Sequence, residues 1–112
     1  MGSERSTTAE AAIPFAGLFW LSGPRRGQHA TLSTDGTTIG TGGDSDVLID
    51  EPGVSLEHAR LRMEEGEWFV YDLASRAGTT IGGETIYRHR LADGDRIGFG
   101  TSQVVFRVLN SD

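Results

Sequence analysis

His58-Ala59-Arg60-Leu61-Arg62-Met63 alternates strictly in polarity, and after Glu65-Gly66 comes a second run, Trp68-Phe69-Val70-Tyr71-Asp72-Leu73, rich in aromatic and β-branched residues. A period of two puts Ala59, Leu61 and Met63 on one side of an extended chain and His58, Arg60 and Arg62 on the other. An amphipathic helix would repeat its apolar positions every 3.6 residues instead. The acid–glycine pair between the runs suits a tight hairpin, because glycine accepts a positive φ at no steric cost.

The same period extends outward in both directions. It predicts strands near residues 18–22, 29–33, 37–40, 46–49, 58–63, 68–73, 79–81, 85–87, 96–99 and 103–109. Asp35-Gly36, Gly82-Gly83 and Asp93-Gly94 separate apolar runs as Glu65-Gly66 does, and all four are expected to be hairpin turns. Sixteen of the 112 residues are glycine, about twice the usual share, as a turn-rich β protein requires. Many short strands at this spacing indicate an all-β sandwich or barrel. The expected core holds Leu18, Trp20, Ala30, Leu32, Ile39, Val47, Ile49, Leu61, Val70, Ile81, Ile97, Phe99, Val104 and Phe106. Residues 1–14 are small and polar and read as a flexible tail; 15–110 read as the domain.

Composition narrows the chemistry. The length fits one domain, which buries roughly 60–70% of its unfolded surface. There is no cysteine, hence no disulfide, thiolate metal site or thiol nucleophile, and a reducing, cytoplasmic setting is compatible. All ten basic residues are arginine, so no lysine can serve as a P-loop residue, Schiff base or general base. The net charge of −6 argues against nucleic acid and against an anionic membrane surface. No apolar run approaches the roughly 18 residues that cross a bilayer, and no secretory signal is recognisable.

Four pieces then fall in a fixed order: Thr38-Ile39-Gly40; Ser45-Asp46-Val47-Leu48-Ile49-Asp50; Val54-Ser55-Leu56-Glu57-His58-Ala59; and Trp68 through Asp72-Leu73-Ala74-Ser75-Arg76-Ala77-Gly78-Thr79, closed by Leu91-Ala92-Asp93-Gly94-Asp95-Arg96-Ile97. Together they resemble the forkhead-associated (FHA) domain family over about residues 18–109. The resemblance implies a two-sheet antiparallel β-sandwich of about ten or eleven short strands, with loops at one end that bind phosphothreonine on partner proteins. It also implies a non-catalytic, monomeric module with a protein or peptide partner, no cofactor and no metal.

The family's binding positions carry over unevenly. Its phosphate-gripping arginine after Gly40 is Thr41, its serine is present as Ser55, and the arginine after that serine is Leu56. The asparagine that holds the peptide backbone is Ala77, between Arg76 and the Gly78-Thr79 pair, and a second usual asparagine is Gly82. His58 matches a histidine that braces the loop. Candidate ligand contacts are therefore Thr41, Ser55, Leu56, Arg76, Ala77 and Thr79, with Gly40, His58 and Gly78 as loop support; Gly42 and Gly43 offer further backbone N–H groups. The leading expectation is an interaction module with weakened or lost phosphothreonine dependence. The alternative is a phosphothreonine reader that uses Thr41, Ser55 and Arg76.

Other readings weigh less. Ser55 and His58 with Asp50 or Asp72 invite comparison with a hydrolase triad, but no nucleophile-elbow motif is present. His29, His58 and His89 lack metal-ligand spacing, and no helix follows Gly40-Thr41-Gly42-Gly43 to cradle a nucleotide. Arg88-His89-Arg90 reads as a charged strand edge and Arg25-Arg26 as a charged turn. Thr7-Thr8 offers a phosphorylation site for self-binding, as in some relatives of this layout; an inert tail is the preferred reading. Leu56 either packs under its loop or faces a partner.

Overall fold

The computed structural model describes residues 15–109; the expected tail at 1–14, with Thr7 and Thr8, lies outside the described residues. Eleven strands follow one another: β1 Phe15–Trp20, β2 His29–Thr31, β3 Thr37–Gly40, β4 Val47–Leu48, β5 Ala59–Glu64, β6 Glu67–Asp72, β7 Thr79–Ile81, β8 Glu84–Ile86, β9 Arg88–Arg90, β10 Arg96–Phe99 and β11 Ser102–Leu109. They form a six-stranded sheet ordered β2-β1-β11-β10-β7-β8 and a five-stranded sheet ordered β4-β3-β5-β6-β9. Every strand pairing is antiparallel except β3 with β4, where Ile39 faces Val47 and Gly40 faces Leu48 in parallel register.

Alternation decides what lies between the sheets. Leu18 and Trp20 of β1, Ile39 of β3, Leu61 of β5, Val70 of β6, Ile97 and Phe99 of β10, and Val104 and Phe106 of β11 are all buried. Ala30 and Ile81, expected in the core, are only partly buried and pack against its margin. Ala16, Val54, Ala59, Trp68 and Leu91 join the core as well. Arg25 lies over the Trp20 ring, 4.8 Å from its centroid, and donates to the Leu48 carbonyl at 3.2 Å. The charged turn thus covers apolar surface and ties the two sheets together.

Only two of the four expected hairpins are hairpins. Glu65 and Gly66 both have positive φ and join β5 to β6; Gly82 and Gly83 do the same for β7 and β8. Asp35-Gly36 and Asp93-Gly94 instead carry the chain from one sheet to the other. A glycine pair encodes a reversal, not which sheet the next strand joins.

The 85–87 strand is also redrawn. β8 stays in the larger sheet, the chain crosses at the exposed Tyr87, and Arg88-His89-Arg90 forms β9 on the edge of the smaller one. Its pairing aligns Arg88, His89 and Arg90 with Tyr71, Val70 and Phe69. Charged side chains on an edge strand oppose pairing with another chain.

At the end of β3, the backbone of Leu56 passes close above Gly40. A Cβ on Gly40 would lie 2.0 Å from the Leu56 carbonyl oxygen. Gly40→Ala must therefore push the β4–β5 loop away. The expected loss is about 1–3 kcal/mol, the usual cost of overpacking, read from urea unfolding. An unchanged midpoint would show that this close approach is not required.

Candidate functional site

Three loops, residues 41–46, 49–58 and 73–78, meet where β3 and β6 finish and β5 begins. Ser55 is their common hub. Its carbonyl accepts the Thr41 N–H at 3.0 Å, its hydroxyl accepts the Arg76 N–H at 2.9 Å, and its own N–H donates to His58 Nδ1 at 3.1 Å. The Ser55 O–H proton makes no bond among the described residues and remains free for a ligand oxygen.

His58 is wholly buried. Because Nδ1 accepts from Ser55, the ring proton must sit on Nε2, which donates to the Gly78 carbonyl at 2.9 Å. One neutral imidazole thereby joins the second loop to the third. Both ring nitrogens are occupied by backbone groups, so neither can take the Ser55 hydroxyl proton, and the triad comparison fails on geometry.

Two carboxylates support the loops from below. Asp72 accepts from the Ser75 N–H and hydroxyl and, at 2.7 Å, from the Thr79 hydroxyl, while Ser75 Oγ accepts the Gly78 N–H at 3.0 Å. Burial pushes the Asp72 carboxyl up, but the hydrogen bonds from Ser75 and Thr79 together outweigh it and hold the group below its usual value. Thr79 is fully buried and committed to Asp72, so it supports the loop and does not line the groove. Glu51 is buried beside the β10–β11 turn and accepts from Thr101 N–H, Thr101 Oγ1 and Ser102 Oγ at 2.6–3.0 Å. Here too burial raises the carboxyl, and the bonds from Thr101 and Ser102 bring it below its usual value. Its partners are fifty residues away in the chain, which is why a lone loop glutamate carries no sequence signal for this role.

Above these supports lies an open groove of about 710 Å³. Thr41, Ser55, Leu56, Arg76 and Ala77 line it, and so do Glu57 and Leu73, which sequence reasoning does not single out. Leu56 is 70% exposed, so it faces outward and does not pack beneath its loop. In sequence Leu73 reads as the end of the preceding strand, and no pattern marks Glu57. Gly42 N–H is already bonded to Leu56 O at 3.1 Å, which removes it as a phosphate donor. Among the lining residues Arg76 is the one cation and Glu57 the one acid. Arg76 forms no ion pair among the described residues.

Known proteins resemble this chain in sequence and fold. The family profile described as "FHA domain" matches residues 37–100. The glycogen accumulation regulator GarA of Mycolicibacterium smegmatis is 37% identical over 107 residues, covering 94% of this chain and 68% of that protein. The oxoglutarate dehydrogenase inhibitor of Corynebacterium efficiens is also 37% identical over 107 residues, covering 94% and 75%. A domain solved in a structural and functional analysis of phosphothreonine-dependent FHA domain interactions superposes with a TM-score of 0.76 at 30% identity, over 83% of this chain and 95% of that one. The chain spans about two thirds of the length of the GarA relatives it matches.

Two outcomes follow from the loop supports. His58→Ala leaves the Ser55 N–H and the Gly78 carbonyl unpaired and should cost about 1–3 kcal/mol in thermal or urea unfolding; an unchanged stability would show that the imidazole bridge does not hold the loops. Glu51 and Asp72 have folded-state values below their unfolded ones. The stability they contribute is complete above the unfolded values and is lost as pH falls through the folded ones. Unfolding free energy should therefore hold level near neutrality and fall once pH drops below the ordinary carboxylate range. Glu51→Gln should be less stable at neutral pH by about 1–3 kcal/mol and should show a shallower acid limb; an identical acid limb would remove Glu51 from the loop supports.

Proposed function

The chain belongs to the FHA domain family, a protein–protein interaction module, and on that premise we propose that its loop groove docks a protein partner with weakened dependence on phosphothreonine. The observation that carries this reading is the charge of the groove: the single cation, Arg76, shares the lining with Glu57. A bound phosphate bears about −1.5 to −2 charges at neutral pH and needs charge-assisted donors on leaving water. Thr41 supplies one neutral hydroxyl where the family has a forked cation, and Ala77 supplies no polar side-chain atom at all. Two lost contacts of roughly 1.5–3 kcal/mol each move a micromolar site towards millimolar. Glu57 opposes the phosphate further, and salt screens the exposed Arg76.

What the groove keeps is shape and apolar surface. Leu56 and Leu73 both border it and are both exposed. The module works without catalysis or cofactor, as a cytoplasmic monomer that acts by occupying a partner. The relatives named above as a glycogen accumulation regulator and an oxoglutarate dehydrogenase inhibitor support action on an enzyme partner.

A second reading has its own support. Thr41, Ser55 and Arg76 are linked through the Ser55 backbone and hydroxyl into one wall, which suits a phosphothreonine reader with a non-standard donor set. Calorimetry with matched threonine and phosphothreonine peptides separates the two. Weak or absent preference for the phosphorylated form is expected, and Thr41→Arg with Ala77→Asn should create or strengthen that preference. Clear micromolar, phosphate-dependent binding by the unmodified chain would replace the first reading with the second.

A further inference from the structure

The outer face of the five-stranded sheet carries a group of side chains that neither the core nor the groove requires. Strand register places Arg60, Tyr71 and Arg88 in one row and Arg62, Phe69 and Arg90 in the next, all on the side away from the core. The inward rows between and beside them hold Leu61 with Val70 and Met63 with Trp68. The outward face therefore gathers four of the chain's ten arginines around two half-buried aromatic rings, on a molecule of net charge −6. Two acids, Glu64 and Glu67, flank it at the far end.

The arginines are ordered by their neighbours. The Arg88 guanidinium lies 4.2 Å from the Phe69 ring centroid and 5.8 Å from that of Tyr71, and its Nε donates to the Tyr71 hydroxyl at 3.2 Å. Arg62 lies 5.9 Å from the Tyr71 centroid and pairs with Glu64 at 2.8 Å. Arg90 pairs with Glu67 at 3.3 Å and is 67% exposed. Arg88 also pairs with Glu64 at 3.5 Å. Stacking and these ion pairs hold the guanidinium groups in place while leaving each with further N–H donors, so part of the ordering cost of binding is already met. Arginine and aromatic residues in this mixture are what protein interfaces concentrate at their centres.

The face also continues from the groove. Arg60 lines a neighbouring cleft together with Leu56, Glu57 and Leu73, the same three residues that border the groove. A partner seated on the loops can extend across Arg60 onto the sheet.

We infer that this arginine–aromatic sheet face is a second docking surface, specific for a carboxylate-rich surface of a protein partner. Charge complementarity selects that occupant: carboxylates suit the four arginines, and an apolar side chain suits Phe69. Nucleic acid fits less well, because a continuous run of phosphates would extend beyond the face over a molecule of net charge −6, whereas an acidic patch on a protein can match the face alone.

The test uses the ¹⁵N-labelled chain, titrated with a glutamate-rich peptide that contains leucines. The expected result is amide shifts centred on Arg62, Phe69, Tyr71 and Arg90 that weaken as salt is raised. Charge reversal, in Arg90→Glu and separately in Arg62→Glu, should weaken binding roughly tenfold while the spectrum remains that of a folded protein. Shifts confined to Thr41, Ser55 and Arg76 would overturn the second surface and leave the groove as the site for acidic ligands. The absence of any shift would overturn it too. Tighter binding of single-stranded oligo-thymidylate at the same residues would overturn the assignment to a protein.

Discussion

The loop end of this molecule hangs on one imidazole. His58 has no contact with water; it meets Phe99 edge-on at 5.8 Å and bridges the Ser55 N–H and the Gly78 carbonyl, two backbone groups on different loops. The bridge requires an acceptor and a donor at fixed separation on one rigid body, and the neutral Nε2–H tautomer supplies both. From there the order propagates by backbone bonds. With its N–H held, Ser55 turns its carbonyl to Thr41 and its hydroxyl to Arg76. The path from the hydrophobic core to the groove wall is thus Phe99, His58, Ser55, and then Thr41 and Arg76. Loops fixed in this way lose little freedom when a ligand arrives, which matters most for a site with few strong contacts.

The carboxylates beneath the loops follow the same logic. Glu51 and Asp72 are each surrounded by hydroxyl and N–H donors, and neither has an arginine partner among the described residues. Neutral donors can hold a buried carboxylate ionised when enough of them converge.

How far the sequence was legible depends on the range of each interaction. Alternation in β5 and β6 and the positive-φ turn between them are local, and they could be read directly. So could His58, through the motif that carries it. The double crossing at Asp35-Gly36 and Asp93-Gly94 could not, because local turn chemistry does not specify the sheet that receives the next strand. Strand β9 is legible as a charged strand edge, but its bounds and its neighbour are not, because Arg-His-Arg contains no apolar residue; its partners are the backbone of β6 and the rings of Phe69 and Tyr71. Thr79 was misplaced because the family motif marks it without saying whether it touches ligand or scaffold. Only its bond to Asp72 decides that. Glu51 was invisible because its donors lie half the chain away.

The distribution of arginine links these points to function. In a chain without lysine, every strong positive contact must come from ten arginines. Among the described residues one of them lines the groove, whereas four stand on the outer sheet face, where the rings of Phe69 and Tyr71 hold two of them by stacking. The groove position that the family fills with a forked cation holds Thr41, and Glu57 offsets the one cation that remains. A guanidinium on a sheet face meets a flat protein surface from the side, while one at a loop apex grips a single phosphate. On the reading proposed above, positive charge on the face in place of the apex suits a broader acidic surface recognised by area and charge together, rather than a short phosphorylated segment recognised at one atom group.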